Sequence, residues 1–183
     1  ESIKKGIIAA SEMNIPTVMI EGMRMYGAAQ HQHVYEMYQY AVQVAEEYGV
    51  TIAMETDITL QQQIDFADQF DGRLKYCFDT HNPVMYGTGY PPDMIRALGK
   101  ERIDHFHMKE SLADEEGFIT KETAPIVLLG EGCPYFDESV QAIKEIGYEG
   151  WIISETFYER PRFNADGEDY VSSARKDVEK LRA

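Results

Sequence analysis

Apolar positions along the chain fall into two spacings. Thr17–Ile20, Thr51–Glu55, Leu74–Asp79, Ile103–Lys109, Ile126–Leu129 and Trp151–Glu155 are short apolar runs bounded by turn residues. Each has the length and flanks of a buried strand. Between them the apolar residues recur at helical spacing. Ile3, Ile7, Ile8 and Ala10 mark a helix over residues 2–14, ended by Pro16. Val34, Met37, Tyr38, Ala41, Val42, Ala45 and Tyr48 mark another, with Gly49 placed as a C-terminal cap. Leu60, Ile64, Ala67 and Phe70 form a third, stopped by Asp71–Gly72. A short helix carries Met94, Ile95 and Leu98 up to Gly99. Asp137 is placed to N-cap a helix with Val140, Ile143 and Ile146, and Gly147 closes it. Tyr170, Val171, Ala174, Val178 and Leu181 stripe the last helix.

Strand and helix therefore alternate six times without a hairpin signal, which predicts an α/β fold with a parallel sheet. A doubly wound sheet gathers its polar residues at one switch point. Here they end strand after strand, which favours a (β/α)8 TIM barrel. Glu55, Asp79, His107 and Glu155 are such strand ends, separated by 24, 28 and 48 residues, about one, one and two βα units. A full barrel takes about 250 residues, and the opening helix has no strand before it. The expectation is a single barrel domain over residues 1–183, entered at its third strand, with the first two βα units outside this chain. Open sheet edges are then expected beside Thr17–Ile20 and beside the final strand.

Composition narrows the partners. The 183 residues are 44% hydrophobic and 11% aromatic, as in a globular domain, and the net charge is −15. That charge opposes nucleic acid and anionic membrane, which need a basic footprint. A small anionic substrate needs only a few local cations. Two cysteines, Cys77 and Cys133, do not make a disulfide framework, and a reducing cytoplasm is expected. No apolar run reaches transmembrane length.

The chemistry centres on Ile103-Asp104-His105-Phe106-His107-Met108-Lys109. Alternate residues share one face of a strand, so His105 and His107 point the same way. Buried histidines need a polar partner or a metal. With Glu55, Asp79 and Glu155 ending neighbouring strands, the oxygen and nitrogen donors suit one divalent ion: Mn, Mg, Co or Zn.

These motifs, with Phe78-Asp79-Thr80-His81 and Leu129-Gly130-Glu131-Gly132, resemble the strand-end motifs of the xylose-isomerase-like TIM barrels, a superfamily of sugar and sugar-phosphate isomerases and epimerases that also holds endonuclease IV. The resemblance runs from the third strand onward. By likeness to the ketose 3-epimerases it implies that Glu55, Asp79, His107 and Glu155 bind the metal. It also implies that Glu55 and Glu155 act as the acid/base pair, moving protons through an enediolate. His81, His105 and Lys109 are the candidates for contact with a small sugar or sugar phosphate. Two positions depart from the epimerase pattern. The histidine expected three residues after Asp79 is Asn82, with His81 one residue earlier. The arginine expected after the histidine strand is absent from Lys109–Ala113. Both bear on the substrate more than on the metal.

The alternatives are a dehydratase of the same superfamily, an endonuclease IV-like phosphodiesterase and a non-catalytic binding protein. The phosphodiesterase needs a three-metal cluster whose further ligands this chain replaces with Asn82 and Ile126. A homo-oligomer stays open. Gly130-Glu131-Gly132 suits either a close approach to ligand or a tight turn. Arg24, Arg160 and Arg162 are loop cations, His31 and His33 follow the first strand in a loop, and Tyr148 and Trp151 are expected to pack in the core.

Overall fold

The structure, a computed structural model, describes residues 1–23, 28–113, 126–132, 135–158 and 169–182. Arg24, Arg160, Arg162 and Cys133 lie outside them. The elements are α1 (Ser2–Glu12), β1 (Thr17–Glu21), α2 (Ala28–Tyr48), β2 (Thr51–Glu55), α3 (Leu60–Ala67), β3 (Leu74–Asp79), α4 (Asn82–Met85), α5 (Pro91–Arg102), β4 (Ile103–Met108), β5 (Glu110–Ser111), β6 (Ile126–Val127), α6 (Tyr135–Glu145), β7 (Trp151–Ser154) and α7 (Tyr170–Arg182). Five strands form one sheet in the order β1-β2-β3-β4-β7, so the sheet ends at β1 and at β7 among the described residues. β1 pairs parallel to β2 and β2 parallel to β3, with Glu21 beside Glu55.

The chain forms two compact units, Glu1–Phe78 with Leu98–His105, and Asp79–Ala97 with Phe106–Ala183. In the first unit, Tyr38, Ala41 and Ala45 of α2 are buried, as their spacing predicts. The Tyr38 ring stands edge-on to Phe66 at 5.8 Å, and its hydroxyl donates to the Ile20 carbonyl at 2.6 Å. Thr59 and Gln62 make a capping box at the start of α3, an arrangement worth about 1 kcal/mol. Past α3 the chain leaves the helical region at Asp71 (φ 51°) and Gly72 (φ 77°), where the sequence places the stop. The ends of β1 and β2 are tied together. Gly22 N–H donates to the Glu55 carbonyl at 2.7 Å, and the Thr56 hydroxyl to the Gly22 carbonyl at 2.9 Å.

In the second unit, the buried Phe106 ring meets Tyr148 edge-on at 4.8 Å. Phe157 and Tyr158 pack on Ile126 and Leu128.

Several expectations are corrected. Ile126–Leu129 is not a strand of the main sheet. Ile126 and Val127 pair antiparallel with Ser111 and Glu110. The backbone donors that follow are used elsewhere: Leu129 N–H goes to the Asp177 carboxylate, and those of Gly130 and Gly132 go to Glu110. His31 and His33 lie on α2, which begins at Ala28, and not in a loop. α6 begins at Tyr135, which puts Asp137 in its first turn and not at the cap. Trp151 is 74% exposed, while Tyr148 packs as expected. Thr17–Ile20 is half-exposed, as befits an end strand. The face of α7 that is buried carries Ser173 and Asp177, and Tyr170, Val171 and Val178 are exposed.

Candidate metal and substrate site

The buried strand β3 delivers Asp79 to its end. One carboxylate oxygen, Oδ1, accepts the backbone N–H of His81 at 2.7 Å and of Asn82 at 2.8 Å. The turn into α4 thus fixes the side chain and leaves Oδ2 to face Lys109 Nζ at 3.1 Å. β4 carries His107, and Lys109 follows on the same face by strand alternation. The chain after β7 carries Glu155, whose N–H donates to the Met108 carbonyl at 3.0 Å. Its Oε2 lies 2.6 Å from Lys109 Nζ and 3.4 Å from His107 Nδ1. Asp79, His107 and Glu155 each offer a ligand atom, and these atoms lie within 4.8 Å of one another.

Charge and burial set the ionisation. Burial pushes the Asp79 carboxyl up, against the pull of the Lys109 charge. Burial also works to raise Glu155, but hydrogen bonds from His107 and Lys109 and the Lys109 charge bring it down to about 2. Lys109 is buried, which opposes its charge, yet Asp79 and Glu155 prevail and raise it to about 12. The ammonium and Glu155 are both charged at neutral pH.

His81 sits beside this cluster, 4% exposed, with Nε2 2.6 Å from Ser111 Oγ. Burial, and after it the Lys109 charge, depresses its pKa to about 4, so the ring is neutral at pH 7. Thr80, His81, Lys109 and Ser111 line a cavity of about 20 Å³, room for about one water.

The structure therefore brings together five of the residues singled out in the sequence: Asp79, His81, His107, Lys109 and Glu155, all in the second unit. Glu55 and His105 belong to the first unit. Glu55 ends β2 with a buried side chain, and His105 Nδ1 is 2.9 Å from the carboxylate of its neighbour Asp104. Gly130-Glu131-Gly132 is a tight turn clamped by the buried Glu110. Glu110, Ser111 and Asp177 were missed by sequence reasoning. The available signal was an acid in line with Ala174 and Leu181 on α7, and an acid directly continuing the apolar run of β4.

The donor set fits a divalent cation. Two hard carboxylate oxygens and one borderline imidazole nitrogen converge, and the Asp79 oxygen facing the cluster is not used by the backbone. A parallel sheet whose strands alternate with helices is the architecture of a TIM barrel. The chain belongs to the xylose isomerase-like TIM barrel family, which it matches over residues 1–183. Among solved structures it is similar to a xylose isomerase domain protein from Planctomyces limnophilus, with TM-score 0.80 and 21% identity, covering 99% of this chain and 64% of that one. It is similar to an IOLI protein with a bound zinc atom, with TM-score 0.78 and 18% identity, covering 98% and 67%. It is also similar to a D-psicose 3-epimerase with D-tagatose from Clostridium cellulolyticum H10, with TM-score 0.74 and 18% identity, covering 99% and 68%. The chain thus spans 64–68% of the length of these structures. No curated protein sequence matches it. No helix among the described residues is long and apolar enough to cross a membrane.

Proposed function

We propose that the protein is a divalent-metal-dependent sugar or sugar-phosphate isomerase or epimerase. The observation that carries this reading is the convergence of Asp79, His107 and Glu155 around one point in a member of this family. Glu55, at the matching end of β2, is proposed as the fourth ligand of one Mn, Mg, Co or Zn ion. When bound, the ion supplies Lewis-acid polarisation of a ketose carbonyl and its neighbouring hydroxyl. Glu155, held ionised, takes the proton from the carbon beside the carbonyl to give an enediolate, and Glu55 returns a proton to the opposite face. Lys109 offers a charged donor to a substrate oxygen, His81 offers a neutral one, and His105 offers a second imidazole. The acidic chain suits a small molecule more than nucleic acid, and a buried Cys77 thiol outside any disulfide suits the reducing cytoplasm.

The test is incubation of the metal-loaded protein with a panel of ketoses and ketose phosphates in deuterated water. Solvent deuterium at C3 supports epimerisation, and at C1 or C2 aldose–ketose isomerisation. Glu155→Gln should stop the exchange while retaining part of the metal. Full metal occupancy without exchange on any ketose would overturn the reading and favour a dehydratase.

A further inference from the structure

Asp177 lies in the middle of α7, a helix otherwise remote in sequence from every strand end, and it is 0% exposed. A buried carboxylate without partners is strongly unfavourable, and this one has four. Its Oδ2 accepts from the hydroxyls of Ser154 at 2.8 Å, Thr156 at 2.6 Å and Tyr158 at 2.7 Å. Its Oδ1 accepts the backbone N–H of Leu129 at 2.8 Å. Ser154 and Thr156 are the two sequence neighbours of Glu155. The strand β7 itself ends at Ser154, and the Glu155 N–H to Met108 carbonyl bond carries the pairing one residue further.

We propose that Asp177 is a positioning residue for Glu155. By gripping the hydroxyls on either side of it, Asp177 fixes the backbone from which the Glu155 carboxylate reaches Lys109 and His107. Through Leu129 the same side chain sets the start of the Gly130–Gly132 turn. The inference rests on the proposed role of Glu155 as a metal ligand and base. Residues that orient a ligating side chain from behind typically matter about 10–100-fold in metal affinity.

The charge and the double acceptor character are both needed. In Asp177→Asn one side of the group becomes an NH2, which must face either the Leu129 N–H or the three hydroxyls. The experiment is titration of the metal-stripped full chain with Mn²⁺ by calorimetry, with thermal melting recorded for each variant. Wild type should bind one Mn²⁺, and Asp177→Asn about tenfold more weakly. Ser173→Val disturbs the same buried face of α7 one turn earlier without touching the hydroxyls, and should bind within about twofold of wild type. Thr156→Val should weaken binding and Thr156→Ser restore it. Equal affinity of Asp177→Asn and wild type would overturn the inference alone, as would an equal loss in Ser173→Val. If Asp177→Asn fails to fold, the Thr156 pair decides in the same way. A wild type that takes up no Mn²⁺ would overturn the metal reading and this inference with it.

Discussion

Lys109 Nζ lies 2.6 Å from Glu155 Oε2, and the same ammonium is 3.1 Å from Asp79 Oδ2. One cation thus bridges two carboxylates delivered by different strand ends. Lys109 and Asp79 are nearly inaccessible, at 8% and 1% side-chain exposure, while Glu155 retains 31%. Removing one partner of a buried pair leaves an uncompensated charge and costs more than the pair contributes.

Lys109→Met should accordingly destabilise the protein by about 3 kcal/mol, toward the low end for a buried pair because Glu155 is part-exposed. The two carboxylates then repel, and a divalent cation restores the missing positive charge. Mn²⁺ should therefore raise the melting temperature of Lys109→Met by more than that of wild type. Urea unfolding and melting with and without Mn²⁺ check both statements. An equal Mn²⁺ shift in the two proteins would show that Lys109 does not share the carboxylates with the metal.

The strands of the main sheet and most residues of the candidate site were legible because their signals are local. Apolar runs ending in Glu55, Asp79 and Glu155 mark both the strand and the side chain it presents, and alternation from His105 places His107 and Lys109 on one face. What was not legible depends on partners far along the chain. Nothing near Ile126–Leu129 indicates that Glu110 and Asp177 will take up the backbone donors that would otherwise extend a strand. The apolar stripe of α7 misleads for the same reason. Asp177 satisfies four donors in the interior, so its face turns inward in place of Tyr170 and Val178. The pairing of Lys109 was also invisible, since a lysine at a strand end reads equally well as solvated.

Asp79→Ala should abolish stoichiometric metal binding and also destabilise the protein. It deletes a ligand, and it leaves the N–H groups of His81 and Asn82 without their acceptor at the start of α4. An acceptor of this kind is worth about 1 kcal/mol. Asp79→Asn should recover the stability in part but not the metal. Metal analysis of purified variants beside urea titrations separates the two effects, and unchanged metal content in Asp79→Ala would locate the site elsewhere.

Gly132→Ala tests the turn. A Cβ at Gly132 would lie 2.8 Å from the Ser111 carbonyl oxygen and 2.9 Å from Glu110 Cβ. The first of these is backbone, in the short ribbon of β5 with β6, and cannot swing away. The substitution should cost about 1–3 kcal/mol, as overpacking does. A midpoint of urea unfolding unchanged from wild type would show that the ribbon shifts freely.

His81 gives the protein a definite acid dependence. An unperturbed histidine titrates near 6.5, whereas His81 is held down to about 4, first by burial and second by the Lys109 charge. Between these two values the unfolded chain takes up a proton that the folded chain refuses, so acid favours unfolding. The contribution of neutral His81 is complete above pH 6.5 and is lost as the pH falls through 4. Its size is on the order of 3 kcal/mol. His81→Gln keeps a hydrogen-bonding side chain facing Ser111 and removes the titration. From pH 6.5 to 4, wild type should lose on the order of 3 kcal/mol more stability than His81→Gln, measured by urea unfolding across that range. Parallel curves for the two proteins would show that His81 titrates in the folded state as it does in the unfolded chain.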